Sequence, residues 1–392
     1  MREAYIVQSV RTPGCKQKKG LFSQTRPEEL ISFIMKEAVE RTPNLKPEDI
    51  DDVMLGCAFP EAEQGLNLGR IAAKMAGFPD KVSGATVNRF CASGLEAIAL
   101  ASVRISAGWS EICIGAGCES MTFVPMGGNT PRPHPEYCQT YPEMYVSMGI
   151  TAENVASRYN ISREDQDIFA ARSQAKAMAA RDSGKFTEIV PTPAYRYVVQ
   201  PDGTYKKEFF IVEHDDGIRA STPEGLAKLG AVFKVNGSVT AGNSSQTSDG
   251  AAATIVASRE KCEELGLSPI ARLLGYTTVG CKADEMGVGP KYAIPKVLKQ
   301  VAMTIDDIDI YEINEAFASQ ALHCIRETGL EKHMDKINIH GGAIALGHPL
   351  GCTGAKLTAT CIANLKEVGG KYGIVSMCVG GGMGAAAVFE KL

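Results

Sequence analysis

The sequence predicts an α/β chain of two similar layered halves, the first interrupted by a loop-rich insertion, and three observations carry that prediction. Its 392 residues exceed what one core usually fills. Short apolar strands alternate with helical patterns toward both ends of the chain, as in layered α/β architecture. Three units near the start also recur, in the same order, near the end.

The first unit is an acidic turn followed by an apolar strand. Pro47-Glu48-Asp49-Ile50-Asp51-Asp52-Val53-Met54-Leu55-Gly56 matches Ile305-Asp306-Asp307-Ile308-Asp309-Ile310-Tyr311-Glu312-Ile313-Asn314. In the second, the strand Ala85-Thr86-Val87-Asn88 turns into the helical run Gly94 to Ile105. Its echo is Ile337-Asn338-Ile339-His340, leading through a Gly-rich loop into Lys356 to Leu365. The third pairs the strand Glu111 to Cys118 with Tyr372 to Val379. From about Met121 to Thr247 the texture changes to Pro, His and Tyr, as in Pro131-Arg132-Pro133-His134-Pro135, with helical patches between. One patch starts at the cap Ser162, with Asp165 three residues on, and runs to Gly184. The apolar strand Asp249 to Ser258 then completes the first half. The expected domains are 1–120 plus 249–270, a loop domain 121–248, and 271–392.

Composition narrows the function classes. A formal charge of −4 leaves no basic excess for nucleic acid. No apolar run reaches the ~18 residues of a spanning helix, because Arg104 and Gly108 break AIALASVRISAG. Twelve cysteines in a long chain fit reduced thiols rather than a disulfide framework. With no signal-type segment in MREAYIVQSVRTP, the expected location is the cytoplasm. No C-x-x-C, H-E-x-x-H or clustered Cys/His set suggests a metal, and no G-x-S-x-G elbow occurs. The glycines Gly380 to Gly384 lack the following helix that a dinucleotide site requires.

Two places invite chemistry. Cys91 lies between the strand Ala85–Asn88 and the helix starting near Ser93, so it sits at a helix N-terminus, a position that favours thiolate. Free cysteines are more often small buried hydrophobes, and position alone does not single this one out. The second half adds Gly347-His348-Pro349-Leu350-Gly351-Cys352-Thr353-Gly354 and Cys378-Val379-Gly380-Gly381-Gly382-Met383-Gly384. Such Gly-rich loops can present N–H groups to developing negative charge, and His348 can transfer protons there. Among the other histidines, only His340 lies near enough in sequence to support that site.

Four motifs then match a known family. Asn88-Arg89-Phe90-Cys91-Ala92-Ser93-Gly94, Asn314-Glu315-Ala316-Phe317, Gly347-His348-Pro349 and Cys378-Val379-Gly380-Gly381 together resemble the thiolase signatures. The similarity covers almost the whole chain, including Thr151-Ala152-Glu153-Asn154 and Thr240-Ala241-Gly242-Asn243-Ser244-Ser245. It implies the thiolase fold, five layers α-β-α-β-α with an inserted loop domain. It also implies reversible thiolytic cleavage of 3-ketoacyl-CoA: Cys91 as nucleophile, His348 activating it, and Cys378 as the acid–base group at carbon. Asn314 would hold a water at the enolate oxygen, and the backbone N–H groups of Cys91 and Gly380 would bind the tetrahedral oxyanion. The CoA contacts carried over are Arg219, Phe233 and Ser245, with Ala316 and Phe317 along the pantetheine path. Met148 is read as acyl-pocket lining or plain core, and Lys228 as a CoA contact or a solvated charge.

The stretch Thr86 to Leu95, and Ser147 rather than His before Met148-Gly149, resemble degradative rather than acetoacetyl-forming members. The resemblance implies no permanently bound cofactor, CoA as a substrate, and a homodimer or dimer of dimers. An acetoacetyl-CoA thiolase is the nearest rival; a non-catalytic acyl-CoA carrier and a ketoacyl synthase-like condensing enzyme are more distant ones.

Overall fold

The computed structural model describes residues 2–392. The first half opens with β1 (Ala4–Arg11), β2 (Cys15–Lys16), α1 (Pro27–Glu40), β3 (Asp52–Gly56) and α2 (Leu68–Met75). It continues with β4 (Ser83–Val87), α3 (Ser93–Ser106) and β5 (Ile112–Ser120). The insertion carries α4 (Pro135–Thr140), α5 (Met148–Arg158), α6 (Arg163–Asp182), β6 (Thr192–Val199), β7 (Tyr205–Val212) and α7 (Pro223–Ala227). Next come β8 (Ser248–Ser258), α8 (Arg259–Leu265), β9 (Ala271–Gly280), α9 (Gly289–Gln300), β10 (Ile310–Ile313) and α10 (Ala318–Glu327). The chain ends with α11 (Ala343–Leu346), α12 (Thr353–Val368), β11 (Tyr372–Val379) and β12 (Met383–Lys391).

Strand order runs β4-β3-β5-β8-β1 and then β9-β12-β11-β10, with β2 against β8. Each half has the same plan: a parallel pair, β3·β5 or β10·β11, extended by two antiparallel strands. The halves join through one residue pair, Ile6 with Ala271. That narrow seam lets the two sheets part around α3 and α12. One core holds Leu95, Ile98 and Ile105 of α3, Leu357 and Leu365 of α12, and the facing sides of both sheets, such as Val256 and Phe389. A second core lies under α1 and α2, and a third under α9 and α10. Five layers result, helices alternating with sheets.

The middle layer closes because glycines meet there. A β-carbon on Gly94 would lie 2.7 Å from the Ala355 nitrogen, and one on Gly354 2.2 Å from that of Leu95. The first turns of α3 and α12 therefore cross at backbone distance, which brings the Cys91 and His348 loops to one end of the layer.

Two expectations change. Ile337 to His340 is not a strand, and only Ile337 bridges Tyr311. Asn338, at φ 44°, instead turns its amide onto β10: its Oδ1 accepts from Ile313 N at 2.9 Å, and its Nδ2 donates to Ile313 O at 2.9 Å. One side chain replaces a strand's pairing. The insertion also holds more regular structure than its composition suggests, including the β6–β7 hairpin. Its helix α6 is capped as expected, Ser162 Oγ accepting from Asp165 N at 3.0 Å. Among the described residues no helix is long and apolar enough to cross a membrane.

Candidate active site

Cys91 occupies a 3-10 turn, Phe90–Ala92, between β4 and α3. The turn is strained, because Phe90 takes φ 42°, a region bulky side chains avoid. Its neighbours hold it there. Phe90 N donates to Asn88 Oδ1 at 2.8 Å, Arg89 N donates to Ser93 Oγ at 2.9 Å, and Ser93 Oγ donates to Phe90 O at 2.6 Å. Outside the turn, Asn88 Nδ2 binds Ala58 O, and Arg89 pairs with Glu96. The Cys91 side chain packs against Ala58, Met121 and Leu350.

The expectation of a depressed thiol pKa does not hold. Burial pushes Cys91 up to about 12, and the N–H groups of Gly380 and of Cys91 itself, which bond its sulfur, offset this only in part. Desolvation outweighs the helix terminus, so Cys91 rests as a neutral thiol, which would need a base to act as a nucleophile.

His348 is the candidate for that base. It follows Gly347, whose φ of 80° suits glycine and whose β-carbon would meet Ser248 Oγ at 2.3 Å. The His348 N–H donates to Gln246 O at 2.9 Å, anchoring the loop on the segment that enters β8. Proton counting fixes the tautomer. Thr353 Oγ gives its one hydrogen to Pro349 O at 3.0 Å, so it accepts from His348 Nδ1–H at 2.5 Å. Nε2 then carries a lone pair and accepts from Asn314 Nδ2 at 3.3 Å. Burial, helped by the Lys356 charge, pushes the imidazole down to about 3, so the ring is neutral.

Asn314 follows β10, fully buried, with its N–H on Ser376 O at 2.9 Å. Its Oδ1 is buried without a partner. An orphaned acceptor beside an imidazole suits a bound water or a substrate donor. Cys378 is the penultimate residue of β11, fully buried. Burial first, and then the charge Cys91 would carry, raise its thiol well above the usual range. The turn that follows brings Gly380 beside Phe90 and Met148: its β-carbon would lie 3.5 Å from the Phe90 ring and 3.8 Å from Met148 Sδ.

The predicted wall residues assemble around Cys378. Ala316 and Phe317 cluster with it, Ala152, Val239 and Met286, while Met148 and Phe233 pack against the group. The Phe233 and Phe317 rings stand edge to face at 6.1 Å. Ser245 joins through its N–H, bonded to Ala316 O at 2.9 Å. Arg219 does not enter the cluster. Its N–H meets Gln174 Oε1 at 2.9 Å, but its side chain is exposed and has no bonded partner among the described residues. Lys228 is likewise exposed, at the end of α7. His340 turns away to Glu367, 2.7 Å distant.

Three residues escaped the sequence reading. Thr353 sets the His348 tautomer, and its position in the first turn of a helix opened by Gly-His-Pro was a usable signal. Glu119, fully buried, accepts from the N–H groups of Ala58 (2.7 Å) and Gly351 (2.7 Å) and from Gln64 Nε2 (2.8 Å). An acid ending an otherwise apolar strand was the only hint. Lys356 binds the carbonyls of Leu346 and Gly347, and nothing local in the sequence marks it.

Residues 4–260 match the family described as thiolase, N-terminal domain, and residues 267–391 match thiolase, C-terminal domain. The chain is 47% identical to a 3-ketoacyl-CoA thiolase of Bacillus subtilis, over 100% of both chains. It is 46% identical to the peroxisomal 3-ketoacyl-CoA thiolase B of Mus musculus, covering 99% of this chain and 91% of that one. Among solved structures, the dimeric peroxisomal thiolase of Saccharomyces cerevisiae matches with a TM-score of 0.87 and 39% identity, over 100% of this chain and 98% of that one. The acetyl-CoA acetyltransferase of Bacillus anthracis matches with a TM-score of 0.89 and 38% identity, over 100% and 99%.

Proposed function

The chain belongs to the thiolase family, and from that premise we propose how its residues carry out the reaction of a 3-ketoacyl-CoA thiolase. The enzyme cleaves 3-ketoacyl-CoA with CoA, giving acetyl-CoA and a shortened acyl-CoA. Cys91 Sγ attacks the 3-keto carbon while Nε2 of His348 takes its proton. Because thiol and imidazole are both neutral at rest, the proton moves as the carbon–sulfur bond forms, not before. The resulting oxyanion is held by the N–H groups of Cys91 and Gly380, donors whose individual loss typically costs about 10²–10³ in rate.

Collapse of that intermediate breaks the C2–C3 bond and leaves an acyl-Cys91 and the enolate of acetyl-CoA. The enolate oxygen receives a hydrogen bond from Nε2–H of His348 and from a water on Asn314 Oδ1. Cys378 gives its proton to C2, completing acetyl-CoA. Its thiolate then takes the proton of incoming CoA, whose sulfur displaces the acyl chain from Cys91, and His348 returns its proton to the leaving Cys91 sulfur. Cys378's strongly raised pKa makes it a weak acid and a strong base, which suits exchange of a proton with carbon.

One observation supports the reading: a buried thiol, a neutral imidazole whose Nε2 meets only the Asn314 amide, and an orphaned amide oxygen share one end of the middle layer. Segment 121–248 acts as the CoA-binding domain, with Met148, Phe233, Ala316, Phe317 and Ser245 along the acyl and pantetheine path. Arg219 is the free cation for a CoA phosphate. No permanently bound cofactor is required, and CoA is a substrate. We assign a cytoplasmic homodimer, or a dimer of such dimers, working in fatty-acid β-oxidation.

Rates of thiolysis against acyl length, together with mass spectrometry of the acyl enzyme, test this. We expect an adduct on Cys91 and turnover of chains beyond four carbons; reaction of the four-carbon substrate alone would indicate an acetoacetyl-CoA thiolase instead.

A further inference from the structure

Behind His348 lies a set of buried charges that the reaction steps leave unused. Lys356 of α12 is 3% exposed. Its ammonium donates to the carbonyls of Leu346 at 2.7 Å and Gly347 at 2.8 Å, the two residues that lead into His348. Thr353, three residues earlier on the same helix face, holds the ring of that histidine. The groups facing the ammonium are Asp215, Arg11, Cys352 and Glu188.

These groups form a closed ionic set. Asp215 accepts from the Arg11 guanidinium at 2.8 and 3.1 Å and from Gly14 N at 2.6 Å. Arg11 also donates to Glu188 at 3.0 Å, and Glu188 accepts from Thr360 at 2.9 Å. Two cations balance two anions, contributed by β1, the insertion and α12. Buried charge is tolerated only when so paired, and it fixes the geometry of what it touches.

We propose that Lys356 is a positioning residue for His348: its ammonium clamps the two carbonyls entering the histidine and ties that loop to the ionic set of β1 and the insertion. The clamp holds Gly347 in its left-handed conformation and keeps Nε2 aimed at Asn314 and the substrate. Electrostatics agree with the geometry. The Lys356 charge helps keep the imidazole neutral, and burial pushes Lys356 itself down to about 8. Above that pH the clamp loses its charge, and acylation slows.

The inference rests on His348 being the base, so His348→Asn is measured beside the lysine variants. The readout is single-turnover acylation of Cys91 by 3-ketooctanoyl-CoA without added CoA, followed from neutral to alkaline pH. For Lys356→Met we expect acylation slowed on the order of 10²-fold, as for a misplaced catalytic group, with substrate affinity within about twofold. Lys356→Arg should recover most of the rate and stay flat above about pH 8, where the wild type declines. A folded Lys356→Met enzyme that acylates at the wild-type rate overturns the proposal. If that variant does not fold, a Lys356→Arg profile that falls at the wild-type pH overturns it. Full-rate acylation by His348→Asn would instead remove the base assignment itself.

Discussion

In the first half the strand β5 ends in Cys118-Glu119-Ser120; in the second, the equivalent strand β11 ends in Cys378-Val379. Register makes Cys118 the counterpart of Cys378 and Glu119 that of Val379, since Asp52 pairs with Cys113 and Ile310 with Gly373, each five residues short of the cysteine. The helices that follow are matched too. A 3-10 turn at Phe90–Ala92 opens α3, and one at Leu350–Cys352 opens α12. Where the first turn carries Cys91, the second carries Gly351, whose N–H is already taken by the Glu119 carboxylate.

The outcomes at the two ends are opposite. Glu119 fills the space where an anion would bind in its half and saturates the donors there. At the other end no carboxylate intrudes, and the N–H groups of Cys91 and Gly380 bond only the Cys91 sulfur. One copy of the plan is filled with its own anion, and the other is the end to which the proposed reaction is assigned. The connections differ in the same sense: β11 reaches β12 through Gly380–Gly382, whereas β5 reaches β8 through residues 121–247, the segment proposed to bind CoA.

The largest expected effects fall on the end without the carboxylate. Cys91→Ala should lower thiolysis by about 10⁴-fold or more and abolish the acyl adduct in mass spectra. Cys378→Ser should still acylate at Cys91 but lose deuterium exchange at the acetyl methyl, with little change in unfolding midpoint; preserved exchange would remove its role as base. Asn314→Ala should reduce kcat by roughly 10²-fold, because its amide oxygen supports only the enolate, while the rate of Cys91 alkylation stays near wild type.

The filled end should answer in stability. Glu119→Ala strands several buried donors and should cost about 3 kcal/mol in denaturant unfolding. If Glu119→Ala left stability unchanged and Cys378→Ser removed it, the division between the halves would be reversed. The smallest effect is a pH dependence. Glu312 of β10 stands where β3 has Met54, and burial raises its carboxyl to about 8. A carboxyl raised on folding stays protonated in the native state while the unfolded chain ionises. Stability should therefore fall as pH rises from the unfolded value toward 8, by up to about 1.4 kcal/mol per unit. Glu312→Gln should flatten that slope in urea melts between pH 5 and about 8.

Much of this frame was legible from residues alone, because repetition and period survive in sequence. The acidic turns at Pro47–Asp49 and Ile305–Asp307, the helices α3 and α12, and the late strand β8 all follow from spacing. What spacing could not carry is burial and partnership. Cys91 reads as a helix-terminal thiolate until its depth is known, and Ile337–His340 reads as a strand until Asn338 is seen bonding β10 with its side chain. The hairpin β6–β7 is a different kind of miss, since Pro201-Asp202-Gly203 between two aromatic, β-branched runs was a readable turn.

The placement of β8 between β1 and β5 also governs how this chain emerges during synthesis. The N-terminal sheet cannot close when β5 is complete at Ser120, because its next strand begins only at Ser248. At ~5–20 residues per second the ribosome leaves that edge open for roughly 6–25 s. An apolar strand with an unpaired edge is a template for the wrong partner, so nascent copies of this protein pass through an interval in which that edge is open to mispairing.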